Sequence, residues 1–336
     1  MTQTLREKLL DVLADKPLFA VLDGAQFDHL PDTLRDGDFI AKTLYLDRGD
    51  NDPQRVITAP HLVWLDEESE DAQNEKELDD PRTRENVIDA LLELIGDKPA
   101  AVFWTCPQGS DALYRHLRGI NMVFIPKDED EYQYEENDDQ EAKNHDNGDE
   151  THQLVLFRHS DANVMAQVLP TLNPSQFARI MGPSDHILFA PEPEWQLGAP
   201  VLQAPRPDDL PPAPSGFLRL EQRNMEAITG ERITASRKRI MAYLRDVAPE
   251  KTVDLNDTQL NELVDKAKNS GDKFGLRSEH AHFLWAYLFL ATAGGIATTP
   301  AVISAFETTS DDPDDVVEQI MESTIQAFDQ PDLLEA

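Results

Sequence analysis

The stretch "APEPEWQLGAPVLQAPRPDDLPPAPSG", residues 190–216, constrains this chain more than any other feature. Proline fixes φ and removes a backbone donor, so such a run cannot carry a helix. It reads as a stiff, extended linker over residues 191–215. Before it, apolar runs of strand length alternate with helical patterns; beyond Gly216 every periodic segment reads as helix. The spacing therefore predicts an α/β domain over residues 1–190, a mixed sheet with flanking helices, and an all-α lobe over residues 216–336.

Within the first part, "PLFAVLD", "TLYL", "HLVWL", "AAVFWT", "INMVFIP", "HQLVLF" and "HILFA" are the candidate strands. "PRTRENVIDALLELIG" is a clear helix, with apolar residues at Val87, Ile88, Leu91, Leu92 and Ile95 and Gly96 at its end. "GSDALYRHLRG" reads as a short helix capped by Ser110 or Asp111 and stopped by Gly119. In the second part, Gly230 is a candidate break in a long helix, and Gly271 a candidate stop for the helix that Asn256 or Asp257 caps. The opening "MTQTLREKLLDVLADK" mixes charge with leucine and reads as an amphipathic helix, not a secretion signal.

Charge narrows the partners. The 30 basic side chains face 64 acidic ones, a net charge of −34. A surface of that sign repels nucleic acid and anionic lipid, and attracts basic partners or suits a salty medium. The apolar run Phe283 to Ala293 is shorter than the ~20 residues that cross a bilayer, so membrane insertion is not expected. One cysteine, Cys106, excludes an intrachain disulfide and fits a reducing, cytoplasmic setting. The acidic tract at 127–150 lacks aliphatic residues and exceeds the ~12–15 residues of an ordinary loop, which predicts a mobile insertion.

"LVLFRHSDANVMAQVLPTLNPSQFARIMGP", residues 154–183, contains arginine, histidine, serine and aspartate in a row, the residue types of a hydrolase. Adjacent strand residues point to opposite faces, so His159, Ser160 and Asp161 do not converge as a relay. Ser160 or Asp161 suits the cap of a helix bearing Val164, Met165, Val168 and Leu169, ended by Pro170. Asn173 suits the cap of the next, with Pro174 in its first turn and Gly182-Pro183 as its stop. Capping accounts for the segment without chemistry.

Other chemistry is sparse. His280 and His282 are two apart on a helix, not the three or four of a zinc pair. Cys106 reads as a buried small residue. Arg237 and Arg239, with Tyr243, lie on a locally basic helix that suits an acidic partner or pairs with the protein's own carboxylates. Phe283, Trp285 and Tyr287 belong to a helix apolar all round, which is buried or lines a binding surface.

Five segments together carry a resemblance. They are "LFAVLDGAQ", "TLYLDRGDNDPQRVITAPHLVWL", "CPQGSDALYRHLRGINMVFIP", residues 154–183, and "KFGLRSEHAHFLWAYLFLATAGG". In that order they resemble the effector chaperones, or adaptors, of the bacterial type VI secretion system. The match spans roughly Lys16 to Ala190 and part of the helical lobe. After Arg158 this chain has His159-Ser160-Asp161-Ala162 where the family has an aromatic and then Asp-Pro. The resemblance implies a cytoplasmic, non-enzymatic protein with no cofactor, metal or catalytic residue. Its partners would be a toxic effector, through the effector's N-terminal region, and the spike or tip protein. Arg158 and Asp161 would fix the strand-to-helix joint. Two rival expectations are a hydrolase or metal-dependent enzyme on the α/β domain, and an acidic immunity or inhibitor protein facing a basic toxin.

Overall fold

The computed structural model describes residues 3–45, 57–65, 84–127 and 151–329. The acidic insertion expected at 127–150 lies, beyond Lys127, outside the described residues. The chain divides into two compact units, Met1–Glu231 and Arg232–Ala336.

The first unit is built on a six-stranded sheet. Its strands are β1 (Leu18–Leu22), β2 (Ala41–Thr43), β3 (His61–Trp64), β4 (Ala101–Thr105), β7 (His186–Phe189) and β8 (Leu202–Pro205), in the order β2-β3-β1-β4-β7-β8. Neighbours pair antiparallel throughout. A second sheet of three strands joins β5 (Met122–Pro126) to β6 (His152–Leu156) antiparallel and to β9 (Leu218–Arg219) parallel. The α/β architecture followed by a helical part is as the sequence predicts.

β1 and β4 are buried at every position, because helices cover both faces of the large sheet. Leu18, Ala20 and Leu22 face α1 (Leu5–Leu13), α2 (Leu30–Asp36) and α3 (Arg84–Ile95). Phe19 and Val21 face the other way, toward α4 (Ser110–Arg118), α5 (Ala162–Val168), α6 (Pro174–Met181) and the small sheet. A strand buried on both faces reads as an unbroken apolar run, which is how "LFAVL" and "AVFWT" look. Most helix starts are set by a suitable side chain. Thr4 and Glu7 form a capping box on α1, and Asn173 with Gln176 does the same on α6. α4 departs from expectation: its cap is Gly109, at φ 85°, not Ser110 or Asp111.

The proline-rich stretch corrects the predicted linker. Its residues belong to the first unit, and Leu202–Pro205 is paired to β7. Arg206 anchors the end of this strand, donating to the carbonyls of Ser184 (2.8 Å) and Gly182. Prolines are tolerated here because β8 is an edge strand and loses no ladder bond to them. The division between units falls instead at Glu231/Arg232, inside helix α7 (Gln222–Val247). Ile228 of that helix packs in the core of the sheet unit.

The second unit continues α7 and adds α8 (Pro249–Thr252), α9 (Asp257–Phe274), α10 (Glu279–Ala291), α11 (Pro300–Thr308) and α12 (Pro313–Asp329). Its core gathers Ile240, Leu244, Leu260, Val264, Trp285, Leu288 and Val317. Gly230 does not break α7, since the ~1 kcal/mol cost of an interior glycine is small beside a 26-residue helix. Gly271 does not stop α9. A Cβ there would sit 3.0 Å from Leu276 and 3.1 Å from Trp285, so glycine lets two helices approach. Gly275, left-handed at φ 87°, makes the stop.

Candidate functional site

Asp23 closes β1 and is nearly buried. Its carboxylate accepts from Gln26 Nε2 (3.1 Å), from the amide of Ala25 (3.3 Å) and from Arg158 Nη2. Arg158 also lies 3.4 Å from Asp161 Oδ2. Asp161 caps α5, accepting the amides of Asn163 (2.8 Å) and Val164 (3.2 Å). Burial raises the Asp161 pKa, and the capped amides and Arg158 act against it. One guanidinium thus ties the end of a central strand to the start of a helix on its face. The resemblance implies that Arg158 and Asp161 act together, and the structure brings them together. Asp23, the stronger partner, reads in the sequence only as a turn residue.

The hydrolase-like residues do different work. His159 is fully buried, with Nε2 2.6 Å from Asn121 Oδ1, while Asn121 donates to Leu44 O at 3.0 Å. Burial pushes the His159 pKa down to about 3, with nearby His116 adding to it. His116 is pushed down to about 4, mainly by burial, and its Nε2 lies 2.6 Å from Ile180 O. Both imidazoles are neutral near pH 7. Cys106 is buried and its pKa is raised by burial, the opposite of an activated thiol. None of the described clefts is lined by His159 or Cys106.

In the helical unit the predicted contact residues separate into groups. Trp285 is fully buried, donates from Nε1 to Ser270 Oγ (2.8 Å) and packs edge-on against Phe274. It is core, not contact surface, because the turn of α10 that carries it faces α9 and α11. Arg237 pairs with Asp265, and Arg239 with Glu279 at 2.7 Å, so both guanidinia meet the protein's own carboxylates. Tyr243 and Phe283 stack with centroids 5.1 Å apart. They and Tyr287 are half-buried. Burial raises the Tyr243 pKa, and Tyr287 adds to it. His282 is buried and 3.3 Å from Asp272, whereas His280 is largely exposed, so the two do not act together.

The sequence does not reveal an apolar groove of about 240 Å³ on the sheet unit. It is lined by Ala166 and Leu169 from α5 and the turn after it, Phe177 from α6, Phe189, Leu197, and Leu202 and Ala204 of β8. Its only sequence signal is the alternation Leu202, Ala204 within "LQAP", hidden by the surrounding prolines. Two other clefts exist, of about 520 Å³ beside α1 and about 430 Å³ beside β9. Among the described residues no group of three or more His, Cys, Asp or Glu side chains could hold a metal ion, and no helix is long and apolar enough to cross a membrane.

Compared with known proteins, the chain matches no family model, no curated protein and no solved structure.

Proposed function

We propose that this chain is a non-enzymatic adaptor of a type VI secretion system, which binds a toxic effector in the cytoplasm and assists its loading onto the spike or tip. The reading begins from the resemblance of five ordered segments. The observation that supports it is the Asp23–Arg158–Asp161 joint. The aspartate of "LFAVLDGAQ" and the arginine and aspartate of "LVLFRHSDAN" lie far apart in sequence yet serve one structural feature. Segments selected together as a family signature are expected to meet in this way. In the joint, Arg158 Nη2 meets both carboxylates and so holds strand to helix, which is a scaffold role.

The test is delivery. Deleting the gene should abolish delivery of the toxin encoded beside it, while other toxins of the same apparatus still reach competitor cells. Unchanged delivery of the neighbouring toxin overturns the proposal.

A further inference from the structure

We infer that the outward face of the small sheet is a docking surface for an amphipathic helix of a partner protein, one whose apolar stripe is flanked by carboxylates. The inference goes beyond the adaptor reading and does not depend on it.

The register sorts the side chains of this sheet between two faces. Val123 pairs with Val155 and Leu218, and all three pack in the core of the sheet unit together with Ile125. Strand side chains alternate, so Met122, Phe124, Leu154, Leu156 and Arg219 take the other face, with Phe217 beside them just before β9. Leu156 stands 67% exposed and Phe217 38%. Met122, Phe124 and Leu154 are half-buried, and none of these five apolar residues belongs to the cores of the sheet unit. Phe217 meets Phe124 edge-on, with centroids 5.9 Å apart.

An antiparallel sheet with one face in water normally alternates apolar and polar residues. "MVFIP" and "LVL" do not alternate. They read like β1 and β4, which are buried on both faces. The chain's own acidic tract has no Leu, Ile, Val, Met or Phe between residues 128 and 150 to lay on this face.

Charge sets what covers it. The segments that build this sheet and lead into it, residues 110–127, 151–158 and 214–219, carry Arg115, Arg118, Lys127, Arg158 and Arg219 against one carboxylate, Asp111, in a chain of net charge −34. Asp111 lies in the first turn of α4, at the end away from β5. The next acid along, Glu221, is 3.0 Å from Arg223. Arg158 is held by Asp23, and Arg219 lies over the Phe124 ring and 2.7 Å from His152 Nδ1. Among the described residues, Lys42, Arg115, Arg118 and Lys127 pair with no carboxylate. Lys42 Nζ is 4.3 Å from the centre of the Tyr114 ring, and the Arg118 guanidinium stands over the same ring at 5.4 Å. A helix C-terminus favours the cations in the last turn of α4, by about 0.3–1 kcal/mol each. It does not account for a lysine from β2 brought to the same ring, where two like charges repel.

These cations border the apolar face. Arg179 ties the end of α4 to the start of β9, donating to Gly119 O (2.8 Å) and Gly216 O (2.6 Å). The Phe157 amide donates to Asn121 O at 2.8 Å. The row Leu156, Met122, Phe217 therefore begins at the turn that follows Arg118. An apolar centre with a cationic border complements an apolar stripe with acidic flanks. The face spans three strands, about 10 Å across, which matches the ~10–12 Å diameter of a helix. A cleft of about 430 Å³ between Phe217 and α6 gives the face depth on its β9 side.

The probe is a fluorescent peptide helix with a leucine stripe and glutamates along both flanks. It is titrated against the full chain and followed by anisotropy at low salt. The comparisons are the same helix with lysine for glutamate, an alternating leucine–glutamate strand peptide, and a single-stranded RNA oligonucleotide. The glutamate helix should bind saturably, better than all three, and more weakly as salt is raised. Leu156→Ser, at an exposed position, should weaken binding about tenfold. Arg115→Gln combined with Arg118→Gln should weaken it about as much at low salt, with the difference closing as salt is raised. Unchanged melting curves show that the unit still folds. Equal or tighter binding of any comparison overturns the inference. So does binding that both variants leave intact, an absence of saturable binding, or a dimer in light scattering that Leu156→Ser abolishes, which would give the face to a second copy of this chain. None of these results bears on the delivery experiment, so the adaptor reading stands or falls separately.

Discussion

Asp23 and Arg158 hold each other across 135 positions in the sheet unit, while Trp285 finds Ser270 only 15 positions away in the helical unit. The sheet unit adds to its two apolar cores long-range polar contacts that seal charge against a buried strand end. The helical unit closes through caps and apolar stripes between helices, with its ion pairs near the surface. Breaking a contact should therefore act through an unpaired charge in the first unit and through lost volume in the second.

The largest effect expected is in the helical unit. Trp285→Ala removes a fully buried indole packed against Phe274 and Phe306, at a cost of about 3–5 kcal/mol. Hydrogen exchange should rise in residues 232–329 and stay low in β1 and β4. A uniform rise across both units would mean they do not unfold separately, and the contrast would fail.

Acid should act on the other unit. His116 and His159 have pKa values of about 4 and about 3 in the folded unit, below the unfolded value near 6.5. The unfolded chain binds protons more readily, so their contribution is complete above about pH 6.5 and is lost as pH falls toward 4. The slope is about 1.4 kcal/mol per pH unit for each histidine, up to about 3 kcal/mol each at pH 4. Urea melts between pH 7 and 4.5 should show this loss in the sheet unit, and His159→Gln should roughly halve it. An unchanged slope in the variant would show that His159 is not the group responsible.

Arg158→Met leaves the nearly buried Asp23 carboxylate without its cation, a loss of about 2–3 kcal/mol. Adding Asp23→Asn should recover part of it, which a purely steric role for Arg158 would not allow. The smallest effect belongs to the helical unit's surface. Arg237→Met and Arg239→Met break pairs in which both partners are about a third exposed or more, each worth under about 1 kcal/mol. Loss of partner binding in these variants, without loss of stability, would return both arginines to the contact surface.

The same contrast explains what the sequence discloses. Caps are local, so Asp161, Asn173 and Asn256 are legible from a few neighbouring letters. Strands buried on both faces are legible as apolar runs. Three features are not. Asp23 looks like any turn aspartate, because its partner is 135 residues on. Gly271 looks like a helix stop, because the indole it makes room for comes from the next helix. β8 looks like linker, because prolines that forbid a helix are harmless on a sheet edge, and only the register with β7 distinguishes the two. The groove beside β8 is hidden for the same reason.

The central claim is that this molecule acts by holding another polypeptide. Its most direct test is co-expression of the full chain with the effector that the proposal assigns to it, followed by light scattering on the purified material. The account predicts a stable complex of defined stoichiometry between the two. A chain that elutes alone, or that turns over a substrate while free of any partner, would contradict it.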